Sequence, residues 1–285
     1  MRPFRLKFTA PRDFDDSVYK KYGNYFVMDN MKPDVWVCDP SAMFIIGARE
    51  LKRYPGLKIL ATPSTGTNHI DLDECAKRKV KVISLLDDRK GLETISASSE
   101  FTFKLILDAL RMRPARELQG KTVGFVGYGR IGQKVARMCA ACDVGRVITY
   151  DPALSSEYRC DSLEGLFKES DVVVVSCTLN AETKGMITKE LIESMKKGAA
   201  LVNTSRGEVI DEDGLFEVMV KRTDLRVALD VLVNEVHGCA EPIRLQKLGA
   251  LITPHIAGAT YDSRTKAAEI ILGLLVKELK LDPVR

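Results

Sequence analysis

Three short blocks in the second half of the chain carry the side chains best suited to chemistry: LVNTSRGEVID with Arg206, VALDVLVNEV with Asp230 and Glu235, and LITPHIAGAT with His255. Each contains or follows an apolar, β-branched run that predicts a strand. Each therefore lies at the carboxyl end of a strand, where open α/β sheets collect their ligands. Taken singly, an arginine after a strand is ordinarily a solvated charge, and an isolated histidine is ordinarily structural. Taken together they supply a cationic fork, carboxylates and an imidazole with an ordinary pKa of about 6.5, the parts of a proton-transfer site that faces an anion.

A fourth block says what such a site could work beside. GKTVGFVGYGRIGQKVARMC places Gly127, Gly129 and Gly132 in G-x-G-x-x-G spacing, between an apolar strand and a helical run. The spacing alone is weak, but its context is that of a dinucleotide loop. The first glycine permits a tight turn, the second lets the backbone approach a pyrophosphate, and the third lets helix and strand pack closely. The helix N-terminus then offers N–H groups and partial positive charge to the phosphates. The next strand ends at Asp151, 22 residues after Gly129, where a carboxylate can accept hydrogen bonds from ribose hydroxyls. The same charge repels a 2′-phosphate, so the spacing predicts NAD rather than NADP.

The elements around these blocks alternate strand and helix, the pattern of βαβ units and parallel sheets. A first series has strands within 34–40, 57–66 and 80–85 and a helix from about Asp71. A long helix, 94–113, with more than one apolar stripe bridges domains or subunits. A second series has strands near 122–126, 147–150, 171–176, 200–203, 225–231 and 250–253. The final segment, 261–280, reads as an amphipathic helix that folds back on the first domain. The expected fold is α/β: two Rossmann-like, doubly wound parallel-sheet domains with a cleft between them. A flavodoxin-like substrate domain takes 1–93 plus 264–285, and an NAD-binding Rossmann domain takes 94–263. A chain of 285 residues suits two domains.

Bulk composition narrows the partners. The net charge of +4 is dispersed, with no basic block for nucleic acid. No apolar stretch reaches the ~20 residues that span a bilayer, and the N-terminus turns acidic before an apolar core develops, so neither a membrane segment nor a signal peptide is expected. Seven scattered cysteines suit reduced thiols and a cytoplasmic location. Cys139 and Cys142 in CAAC lack a second pair at metal spacing and read as small buried packing residues, and no metal site is predicted.

In these blocks the sequence resembles the D-isomer-specific 2-hydroxyacid dehydrogenase family, phosphoglycerate and glycerate dehydrogenase-like in a short form. The resemblance rests on GKTVGFVGYGRIG, NAETKGMITKELIESMKKGAALVNTSRGEVIDEDGL, ALDVLVNE and ITPHIAGAT, in the family's order and approximate spacing. It implies D-stereospecific hydride transfer between nicotinamide and C2 of a small 2-hydroxy or 2-keto acid. It implies His255 as the proton donor or acceptor, Glu235 as the carboxylate orienting its ring, and Arg206 as the grip on the substrate carboxylate. Asp230 resembles the residue that meets the nicotinamide carboxamide. Arg130, Ile131, Cys177, Thr204, Ser205 and Gly258 complete the implied cofactor set with the three glycines and Asp151. ATPSTGTNHID resembles the loop whose backbone receives the substrate carboxylate at Thr65 and Gly66, whereas His69 and His237 read as structural or surface residues. The family is typically dimeric, which implies a homodimer through 94–113.

The chain departs from the family pattern at four places. The connection 113–120 is shorter than in many relatives, and Ser176 and Cys177 stand where relatives often carry His-x-Pro. The proline adjoining the family's glutamate is missing at Glu235, which leaves Glu241 as an alternative partner for His255. No C-terminal regulatory domain is expected after the last helix. A second class of function also accompanies this fold, the NAD-sensing corepressors. Within the enzyme class, action on an L-amino acid or phosphite is a further alternative.

Overall fold

The computed structural model describes residues 4–10, 14–38, 40, 44–112, 114–153, 157–233 and 241–282. The chain forms two compact units, one of Met1–Ile95 with Ala259–Arg285 and one of Ser96–Gly258.

The first unit holds a five-stranded parallel sheet of β1 (Phe4–Phe8), β2 (Phe26–Met28), β3 (Val35–Val37), β4 (Ile59–Ala61) and β5 (Lys81–Ile83). Its order is β2-β1-β3-β4-β5, so the winding direction reverses between β1 and β3. Strands β3 to β5 fall in the three predicted runs. β1 and β2 escaped sequence reading, because FRLKF mixes charges into a short run and FVM exposes two of its three residues. The predicted helix begins at Leu72, capped by Asp71, whose carboxylate accepts the Glu74 N–H. The last helix, Tyr261–Leu279, supplies Ala267, Ala268, Ile271, Leu272 and Leu275 to the core around Leu6, Phe8, Val18 and Val35. Burial of each larger aliphatic side chain contributes about 1.5–3 kcal/mol.

The second unit holds six parallel strands: β6 (Thr122–Val126), β7 (Arg146–Tyr150), β8 (Val172–Val175), β9 (Ala200–Asn203), β10 (Arg226–Leu229) and β11 (Leu251–Ile252). Five lie within the predicted runs and β7 starts one residue before its own, in the order β11-β10-β9-β8-β6-β7. Continuous apolar sequences such as VVVV in β8 are fully buried, as a parallel sheet covered on both faces requires. The reversal of winding falls between β6 and β8, so the loops after these two strands diverge around one point. The long helix runs Ala97–Arg111, shorter at each end than the apolar pattern suggested. It buries Leu105, Ile106, Ala109 and Leu110 against Val123, Phe125, Val172 and Val202.

One packing expectation is corrected. Cys139 is fully buried on the helix Arg130–Ala140, and burial pushes its thiol up to about 12. Cys142 lies just past the helix end and is exposed, so the CAAC pair is half packing and half surface.

Candidate active site

The glycine loop follows β6 at the switch point. Gly127 has φ +87°, and a Cβ there would stand 2.6 Å from the Cys177 backbone nitrogen, so the loop after β6 and the loop after β8 touch main chain to main chain. Gly132 sits at the same junction: its Cβ would meet the Gly127 carbonyl oxygen at 2.9 Å and Ser176 Oγ at 3.0 Å. Gly129, by contrast, has nothing within 4 Å of its Cβ position, and no side chain caps the helix that starts after it at Arg130. Open backbone at an uncapped helix N-terminus fits a pyrophosphate. Arg130 and Ile131 form the first turn of that helix.

The carboxylate at Asp151 is tied to this loop. Its Oδ2 accepts the Tyr128 N–H at 2.8 Å and its Oδ1 the Ala153 N–H at 3.0 Å, which fixes the acid at the end of β7 beside the glycines. Ser176 departs from the family pattern but has a structural part to play here. Its hydroxyl donates to the Gly127 carbonyl at 2.7 Å and so fastens the glycine turn. Cys177 is half-buried, and burial pushes its thiol up to about 11.

The ends of β9, β10 and β11 carry the other blocks side by side. After β9, the Asn203 side chain is fully buried. It accepts the Ser205 N–H and hydroxyl at 2.9 Å and donates to the Arg206 carbonyl at 2.9 Å. Thr204 Oγ1 pairs with Thr102 Oγ1 of the long helix at 2.7 Å. Arg206 is half-buried and donates to the Ser205 carbonyl at 2.6 Å. At Gly207 a Cβ would overlap the Leu232 carbonyl and the Val233 nitrogen. The arginine loop is thereby pressed against the start of the segment that contains Glu235. Glu235 and His237 themselves lie outside the described residues, and Glu241 opens the helix Glu241–Lys247.

Asp230, 1% exposed at the end of β10, organises the histidine loop. Its Oδ1 accepts Thr253 Oγ1 at 2.5 Å and the Ile256 N–H at 3.0 Å, and its Oδ2 accepts the Ala257 N–H at 2.8 Å. Its backbone carbonyl accepts the His255 N–H at 2.9 Å. His255, at φ +52°, holds the left-handed conformation, which costs a residue with a Cβ about 1–2 kcal/mol. Hydrogen bonds on both sides of the turn offset that strain, and the imidazole is left exposed. Gly258 closes the loop, its Cβ position 3.4 Å from Ser98 Oγ.

In the first unit, Thr65 is exposed and Gly66 half-buried in the turn after β4. Ser64 Oγ accepts the Gly66 N–H at 3.0 Å and donates to the Gly66 carbonyl at 2.9 Å. The base of this loop is closed by His69, which is buried with Nε2 3.1 Å from Thr62 Oγ1 and 3.6 Å from Cys38 Sγ.

Residues 96–257 match the family model "D-isomer specific 2-hydroxyacid dehydrogenase, NAD binding domain", and residues 41–90 match that family's catalytic domain. The chain is 32% identical over 263 residues to a glyoxylate reductase of Thermofilum pendens, covering 82% of this chain and 76% of that protein. It is 31% identical over 263 residues to a D-3-phosphoglycerate dehydrogenase of Archaeoglobus fulgidus, covering 84% of this chain and 49% of that protein, about half its length. NAD+-bound 3-phosphoglycerate dehydrogenase of Entamoeba histolytica has the same fold, with a TM-score of 0.83 at 23% identity over 100% of this chain and 98% of that one.

The chain belongs to the D-isomer-specific 2-hydroxyacid dehydrogenase family.

Membership in this dehydrogenase family makes the chain an oxidoreductase and identifies the cofactor of the 96–257 domain as NAD. The glycine loop and Asp151 lie at the carboxyl ends of β6 and β7, beside the switch point where doubly wound sheets gather ligands. Sequence reading missed the residues that hold these parts in place, Ser176, Asn203, Thr102 and Thr253. Each is a short polar side chain, three of them just at a strand end and Thr102 inside the long helix, a signal too common to pick out without the contacts. No helix among the described residues is long and apolar enough to cross a membrane. Nor do the described residues contain a group of three or more His, Cys, Asp or Glu able to hold a metal.

Proposed function

We propose that the protein reduces a small 2-keto acid, or oxidises the matching D-2-hydroxy acid, with His255 and Arg206 as its catalytic residues. The observation that carries this reading is the Asp230-held turn after β11, which presents an exposed His255 imidazole with only β10 between its strand and that of the Arg206 loop. Bound NAD supplies or accepts the hydride at the substrate C2. Arg206 binds the substrate carboxylate and polarises the carbonyl, for which a planar fork of donors is well shaped. His255 protonates the carbonyl oxygen in reduction and takes the hydroxyl proton in oxidation, and an imidazole serves both directions near neutral pH. Glu235 orients the ring and stabilises its charged form, on the strength of the family resemblance. Thr65 and Gly66 receive the substrate carboxylate from the first unit. Asp151 receives the adenosine ribose and disfavours a 2′-phosphate. Relatives named glyoxylate reductase and hydroxypyruvate reductase support a two- or three-carbon keto acid.

The test is NADH oxidation against a panel of glyoxylate, hydroxypyruvate, pyruvate and larger keto acids. Wild type turns over at least one of them. His255→Ala and Arg206→Ala lower kcat/KM by about 10³-fold or more, the loss of a general acid or of a bidentate charge contact. NADH binding without turnover on the whole panel would sink the proposal.

The protein is further proposed to be a homodimer through 94–113, where Phe101, Phe103 and Leu107 of the long helix are only partly buried. Sedimentation velocity at micromolar concentration should give a species near twice the 31.7 kDa chain mass, and a monomer would refute it. A cytoplasmic location is supported by the six described cysteines, none of which forms a disulfide.

A further inference from the structure

At the amino ends of β9 and β10, the opposite end of the strands from the glycine loop, two guanidinium groups meet over Gly198. Arg226, the first residue of β10, is 2% exposed. Its Nη1 donates to the Gly198 carbonyl and its Nη2 to the Pro114 carbonyl at 2.6 Å, while its buried Nε has no partner. The half-buried Arg116 approaches from the connection between the long helix and β6. Its Nη2 lies 2.5 Å, and Arg226 Nη1 2.9 Å, from the point where a Gly198 Cβ would stand. Gly198 has φ +72°, a conformation that glycine adopts readily, and its missing side chain leaves the place where the two cations converge.

Among the described residues, a single carboxylate, Asp224, acts on the Arg226 charge, and it offsets the two cations only in part. The carboxylate nearest in sequence, Asp224, is already engaged. It accepts the Gly198 N–H at 2.6 Å and the Arg222 Nε and Nη2 at 2.9 and 2.8 Å. The Arg116 guanidinium has no hydrogen bond or ion pair to any described residue. Burial, and then the charge of Arg116, push the Arg226 guanidinium below its ordinary value. A buried cation with an orphan N–H beside a second cation is costly unless a counter-charge joins them.

We propose that Arg116 and Arg226 form a phosphate-type oxyanion site, remote from the dehydrogenase chemistry, with Arg226 as its buried arm and Arg116 as its accessible one. Guanidinium forks match tetrahedral oxyanions in geometry and charge, and the spare N–H groups of both side chains are the donors. The ligand is inorganic phosphate or the phosphate group of a small monoester.

The test is thermal unfolding of the full chain with saturating NADH, which occupies the glycine loop. Inorganic phosphate or glycerol phosphate at 10 mM is compared with chloride at equal ionic strength. For a millimolar site, wild type should gain about 2–4 °C over chloride. Arg116→Gln, which removes a guanidinium without a hydrogen bond to any described residue, should lose that gain. Arg49→Gln, an exposed arginine of the first unit, should keep it. The larger shift tells free phosphate from monoester. No gain in wild type over chloride, or an equal gain in Arg116→Gln, overturns the site.

Discussion

Among single residues, Asp230 has the most connected position in the candidate site. Its carboxylate accepts one hydroxyl and two backbone N–H groups from the 253–257 turn, and its backbone bonds to both β9 and His255. Truncation to alanine leaves the Ile256 and Ala257 N–H groups without their acceptor, a loss of about 2–4 kcal/mol in urea unfolding. The left-handed turn at His255 is then unsupported, so kcat should fall at least roughly tenfold while Asp230→Asn, which keeps one acceptor oxygen, loses less. Unchanged turnover in Asp230→Ala would show that the histidine holds its place without the clamp. Sequence marked Asp230 for a contact with cofactor. It could not show that the same carboxylate builds the turn that carries the histidine, since that depends on which N–H groups of the loop after the neighbouring strand β11 face it.

At the scale of elements, the junction of the β6 and β8 loops separates two kinds of glycine. Gly127 is required by conformation and by main-chain contact with Cys177, whereas Gly129 faces open space. Gly127→Ala should therefore destabilise the fold by about 1–2 kcal/mol or more and weaken NADH binding. Gly129→Ala should leave the unfolding midpoint nearly unchanged and still weaken NADH binding about tenfold, because its Cβ would point where the pyrophosphate approaches. Paired urea unfolding and NADH fluorescence titrations distinguish the two, and equal stability losses would contradict the geometry. The inner strands of this unit, β6, β8, β9 and β10, were legible because they are nearly continuous apolar runs buried on both faces. β1 and β2 were not, because a short, charge-containing strand becomes a strand only through its neighbours β3 and the helix Tyr261–Leu279.

At the scale of the whole molecule, acid stability should depend on the Arg222–Asp224 pair, which joins the turn before β10 to the turn before β9. The hydrogen bonds from Arg222, helped by the Gly198 N–H, hold the Asp224 carboxyl well below its ordinary 3.8. A carboxyl whose pKa is depressed by folding stabilises the native state above the unfolded value, and that stabilisation is lost as pH falls below about 4. Asp224→Asn should lower stability at pH 7 by about 2 kcal/mol and flatten the decline between pH 4 and pH 2, followed by denaturant unfolding across that range. A parallel decline in both proteins would assign acid lability elsewhere. By itself the sequence determined the α/β class, the second sheet's six strands, the glycine loop and the strand-end position of the three candidate blocks, because hydrophobic period, glycine spacing and strand-end position are local signals. Tertiary structure alone decided what holds those parts: Ser176 on Gly127, Asp230 on the histidine turn, Gly207 against Leu232, and Arg226 buried beside Arg116. Such contacts join residues 20 to more than 100 positions apart, and only the register of parallel strands brings them within hydrogen-bond reach.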